Sequence, residues 1–89
     1  MMLLEEKVVL ADGAWLEIAL HAERGGLAYR LAWGAAGDGL VRYEGEAGQV
    51  GRRTLRARAE AYALRSVEQL RYDFERDIEA LGAALGEAP

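Results

Sequence analysis

Two apolar runs joined by Asp12-Gly13, "EKVVLADGAWLEIALH" (6–21), constrain this chain more than any other feature. Asp-Gly suits a tight turn whose central residues need positive φ, so the two runs are expected to be the arms of a β-hairpin. Alternation in the second arm sends Leu16, Ile18 and Leu20 to one face, and Trp15, Glu17, Ala19 and His21 to the other. The pattern then repeats. "AERGG" interrupts it, and "LAYRLAW" places Leu27, Tyr29, Leu31 and Trp33 together, with Arg30 opposite. "GAAGDG" turns again, and "LVRYEGE" sets Val41 and Tyr43 against Arg42 and Glu44. Four strands over about residues 4–46, with short connections, read as an antiparallel meander.

After residue 65 the period changes. Val67, Leu70, Phe74, Ile78, Leu81 and Leu85 recur three or four apart, which is the stripe of an amphipathic helix over about 67–85. Ser66 with Gln69 three residues on spells a capping box at its start, and Gly86 and Pro89 stand where it should stop. The helix is expected to cover the apolar sheet face formed by Leu16, Ile18, Leu20 and their neighbours. Between strand and helix, residues 47–65 read as a basic loop, because Gly45, Gly48 and Gly51 disfavour regular structure. Within it "TLRARAEAYAL" fits a short helix by propensity, and an edge strand or extended arm by alternation. The fold class is therefore α+β: a four-stranded antiparallel meander with a long C-terminal helix packed across one face, in a single domain over 1–89.

Charge directs attention to that loop. Through Gly51 the chain holds eight acids and four bases, and from Arg52 onward seven of each, so the basic residues gather after the strands. Arg52, Arg53, Arg56 and Arg58 fall within seven positions, with no acid until Glu60. Guanidinium forks match phosphate geometry, which makes these four the candidate nucleic-acid-binding residues. The bland alternative is a solvated segment, or arginines paired with the acidic strip Asp73 to Glu79. The net charge of −4 opposes a nucleic-acid-coating role.

Other chemistry is sparse. Cysteine is absent and His21 is the one histidine, which excludes disulfides, thiolate metal sites and His-pair motifs. Glu44 and Glu46 are the weak catalytic candidates: two apart at the end of the fourth strand, they would share a face, where paired carboxylates hold a cation or divide acid and base roles. A charged strand end is the plainer account. His21 reads as a surface residue and Ser66 as a cap. Trp15 lies on the face away from the helix and marks a second surface for covering. No cofactor or metal is implied, and an enzyme is not favoured. A homodimer is expected from the small size of the domain. Met1 to Leu4 is too short for a signal core, and charges interrupt the longer apolar runs, so the expectation is a cytoplasmic protein without a membrane segment.

The chain resembles the TumE family of toxin–antitoxin proteins, small chains with a meander, a charged loop and a C-terminal helix. "KVVLADGAWLEI" is similar to their opening hairpin, and Tyr29-Arg30-Leu31 to a "YRL" strand. In "AYALRSVEQLRYDFERDIEAL", residues Tyr62, Ser66, Glu68, Gln69, Leu70, Asp73, Phe74 and Asp77 fit the family's close. In the family loop, Glu44, Glu46, Gly48 and Arg53 keep parts of the pattern, Gly45 replaces an Asn, and Gly51, Arg52 and Thr54 stand at Asp and His positions. The resemblance thus implies a toxin–antitoxin component that binds RNA or a cognate antitoxin through the Arg-rich loop. A ribonuclease-type activity is implied by the resemblance alone, and the loop's histidine positions are filled by other residues here. The competing reading is a non-catalytic homodimeric interaction module; a metal-assisted nuclease using Glu44 and Glu46 ranks behind both.

Overall fold

Alternation carries through most of the chain in the computed structural model, which describes residues 1–10, 13–35 and 38–86. Six strands follow one another: β1 (Met2–Val9), β2 (Trp15–Glu23), β3 (Gly26–Ala35), β4 (Asp38–Gly45), β5 (Gly51–Leu55) and β6 (Arg58–Tyr62). They form one sheet in sequence order, every neighbouring pair antiparallel. A single helix, α1 (Val67–Gly86), follows. The α+β architecture is as expected, but the meander has six strands rather than four.

The two additional strands come from the segment read as a loop. Gly45 and Gly51 do not break the sheet; they make room in it. Tyr29 lies across both, so that a Cβ on Gly51 would sit 2.0 Å from its Oη and one on Gly45 2.6 Å away. Glycine in a strand interior often marks such a close approach. The connection after Gly45 is a turn, with Gly48 at φ 78° and the Gln49 N–H donating to the Glu46 carbonyl at 3.1 Å. β5 and β6 then close around Arg56 and Ala57, Leu55 lying opposite Arg58. Arg56 adopts φ 55° in that two-residue loop, a region that glycine occupies without strain.

At the first hairpin Gly13 has φ 86° and its N–H donates to the Leu10 carbonyl at 3.0 Å. Asp12, the other half of the expected turn, lies outside the described residues, as do residues 36 and 37 of "GAAGDG" and Pro89 beyond the helix.

One sheet face carries the core. Ile18, Leu20, Tyr29, Leu31, Trp33, Val41 and Tyr43 are buried there against Leu70 and Phe74 of the helix. The strand faces therefore agree with the alternation. α1 packs mainly on β4, however, and reaches toward β5 and β6 rather than centring on β2. Ser66 caps it by accepting the Gln69 N–H at 3.0 Å, while the Gln69 amide turns inward to Asp73 at 2.8 Å, so only half of the capping box forms. Among the described residues no helix is long and apolar enough to cross a membrane.

Candidate functional site

Adjacent residues on a strand point to opposite faces, and β5 divides Arg52 from Arg53 on that ground. Arg53 points at the helix, between Tyr43 on β4 and Glu60 on β6. Its Nε donates to Asp77 Oδ2 at 2.8 Å, and its Nη2 to Asp77 Oδ1 at 2.7 Å, a fork-to-fork pair with a buried carboxylate. Nε also lies 2.8 Å from the Tyr43 hydroxyl, which itself donates to Asp77, and Nη1 pairs with Glu60. Tyr43 meets Tyr62 and Phe74 edge-on, with centroids at 4.9 and 6.0 Å. The Tyr62 hydroxyl donates to Asp73 at 2.6 Å. Helix, β4, β5 and β6 are thus tied by a polar network inside an apolar layer.

The network sets protonation. Burial pushes the Asp77 carboxyl up, but hydrogen bonds from Arg53 and Tyr43, with the Arg53 charge, outweigh it and hold the group below its ordinary range. Burial and then the neighbouring Asp77 raise the Tyr43 phenol; burial and Asp73 do the same to Tyr62. Arg53 is charged throughout, its hydrogen bond to Asp77 being the main cause. This cluster is neutralised internally and presents no open cation.

Arg52 faces the opposite, helix-free side. There β-pairing builds two rows across the sheet: Glu5, Ala19, Arg30, Glu44, Arg52 and Ala61, and beside it Lys7, Glu17, Ala32, Arg42, Thr54 and Ala59. Directly opposed side chains in such rows have Cβ atoms about 5 Å apart, so Arg30 and Arg52 flank Glu44 at about 10 Å from one another. The ion pairs among the described residues are Arg53–Glu60, Arg53–Asp77 and Arg76–Asp73, which leaves Arg30, Arg42 and Arg52 unpaired on an open surface. A cleft of 390 Å³ lies over one end of this face, lined by Arg30, Glu44, Glu46, Gln49, Val50 and Arg52. A neighbouring one of 300 Å³ brings Trp15, Glu17, Arg30, Arg42 and Glu44 together.

The four candidate arginines therefore do not act as one hand. Arg53 belongs to the core network, and Arg52 to the open face. Arg56 sits in the β5–β6 turn, and Arg58 follows it on the helix side. Glu44 and Glu46 do line a common cleft, but beside arginines. Among the described residues no cluster of three His, Asp or Glu side chains arises that could hold a metal. His21 is half-buried on the open face. Arg30 and Arg42 were missed as site residues; the signal for them was their place opposite the apolar positions of β3 and β4.

Comparison with known proteins gives no matching family model, no matching curated protein and no matching solved structure.

Proposed function

We propose that this chain is a TumE-like toxin–antitoxin component that acts by binding a cognate antitoxin protein through the helix-free sheet face. One observation carries the choice of partner: unpaired Arg30, Arg42 and Arg52 alternate there with Glu17 and Glu44. Polyanion binding draws its strength from counterion release by a run of like-charged cations. Interleaved carboxylates oppose it, whereas a folded protein partner can supply both signs in register. RNA is the second ligand that the basic residues of β5 and its turn suggest. The reading assigns no catalytic step to Glu44 and Glu46 and needs no cofactor, and a cytoplasmic location goes with it.

The test is co-expression with the product of the adjacent reading frame. Retention of that product by the wild-type chain, lost in the Arg30→Glu/Arg52→Glu variant, and growth arrest relieved by the same frame are the expected results. A wild-type chain that retains nothing from that frame overturns the reading. RNA binding with a steep salt dependence would move the assignment from antitoxin to RNA.

A second reading, the non-catalytic homodimeric module, is favoured by the apolar side chains that β1 and its flanks leave open. Val9 is 81% exposed, Leu3 51% and Met2 49%, with Met1, Val8 and Leu10 beside them. Sedimentation over a range of concentrations decides whether the chain self-associates.

A further inference from the structure

The β1 edge carries enough information to name its own occupant. At the start of the β1–β2 hairpin the Leu10 N–H donates to the Ala14 carbonyl at 2.7 Å. Bonded pairs in an antiparallel ladder recur at every second residue. Leu4, Glu6 and Val8 therefore direct their backbone groups at β2, following the register Leu4–Leu20, Glu6–Ile18 and Val8–Leu16. Glu5, Lys7 and Val9 direct theirs outward. β1 is the terminal strand of the sheet, so these outward N–H and C=O groups form an open edge. Such an edge, long and flanked by exposed apolar side chains, is a template for a further strand.

Among the antiparallel registers that let the outward groups of one β1 meet those of a second copy, three centre on Glu5, Glu6 or Lys7 in the middle of the strand. Centred on Glu5, the pairing sets Glu5 against Glu5 and Leu4 against Glu6 twice. Centred on Lys7, it sets Lys7 against Lys7 and the two glutamates against Val9 and Val8. Centred on Glu6, it places Glu5 opposite Lys7 twice and Leu4 opposite Val8 twice, all within the regular part of β1 that follows the register shift between Met2 and Leu4. Opposite charges and apolar pairs directly across a ladder stabilise it, and like charges do the reverse. The third register has one unfavourable pair, Glu6 with Glu6 on the two-fold axis; the others each mismatch several.

We propose that two copies of this chain join edge to edge through β1 in the Glu6-centred register, giving a continuous twelve-stranded sheet with both helices on one side. This deepens the homodimer reading by fixing the edge and the register. The contact is isologous and closes, because both copies use the same strand and no further β1 edge remains. It leaves the helix-free face of each copy accessible, and so coexists with an antitoxin bound there.

Sedimentation equilibrium from micromolar to near-millimolar concentration tests it, with circular dichroism confirming that each variant is folded. The wild type is expected to dimerise. Lys7→Glu turns both Glu5–Lys7 pairs repulsive and is expected to weaken the dimer about tenfold or more. Adding Glu5→Lys to it restores the pairing with the signs exchanged, and should return most of the affinity. Glu6→Gln removes the repulsion on the axis and should tighten the dimer severalfold. A wild type that is monomeric at every concentration overturns the homodimer reading and the proposal together. A dimer indifferent to Lys7→Glu, or one that the double exchange fails to rescue, keeps the homodimer but overturns the β1 register.

Discussion

The two edges of this sheet are built on opposite plans. β6 is five residues long and is held from inside: Tyr62 reaches Asp73 of the helix, and Glu60 reaches Arg53 of the next strand. β1 is eight residues long, hydrogen-bonded on one side, and leaves Val8, Val9, Met2 and Leu3 in water. A strand edge is a liability that a protein covers, shortens or pairs. One end of the molecule is shortened and anchored, whereas the other is left available. Contributions to monomer stability should therefore concentrate at the β4–β6 end, while changes in β1 should register in association.

The strongest way to break that contrast is to remove Asp77. Asp77→Asn leaves the guanidinium of Arg53 with the more exposed Glu60 as its remaining counter-charge. It should lower unfolding stability by about 3 kcal/mol in urea titration, since the buried half of the ion-pair network is broken. A loss below 1 kcal/mol would show that the network does not anchor the β6 end. Next in size is Gly51→Ala. Its Cβ would overlap the Tyr29 hydroxyl and ring and the Glu44 carbonyl, with no rotamer of its own to escape. Overpacking of that kind costs about 2 kcal/mol, read from the same titration.

The pH dependence sharpens the comparison at the same end. Asp77 titrates lower in the fold than its ordinary 3.8, so its contribution is complete above that value and fades as pH falls through the folded one. Tyr43 and Tyr62 titrate higher than their ordinary 10.0, so their contribution is whole below pH 10 and declines as pH rises past it. Thermal melts should therefore drop at both extremes, and Asp77→Asn should flatten the acid side. Smaller again is Arg56→Gly, which relieves a positive φ in the β5–β6 turn and should raise stability by about 1 kcal/mol. Smallest is Val9→Thr in β1. At 81% exposure the side chain buries too little for its loss to move the monomer's melting temperature measurably. A large effect at Val9 on a dilute sample would erase the difference between the two edges.

The candidate site shows where reading from the sequence succeeds and where it stops. The period of two assigned Arg30, Arg42 and Glu44 to the polar side of β3 and β4, and the three-to-four spacing marked Leu70 and Phe74 as core; both hold in the structure. Arg52 and Arg53 were equivalent members of one basic run. Their separation needed the knowledge that residues 51–55 are a strand, and Gly51 argued against that as long as Tyr29, twenty-two positions earlier, was not seen lying over it.

Local pattern alone determined the first four antiparallel strands, their inward and outward faces and the final helix, because each depends on spacing between near neighbours in the chain. Tertiary structure decided that the arginine-rich segment is a hairpin, and that Arg53 pairs with Asp77 while Arg52 stays open. It also decided which edge is anchored. Those outcomes turn on where α1 comes to rest across the sheet, and a carboxylate twenty-four residues from its arginine leaves no mark in either residue's own surroundings.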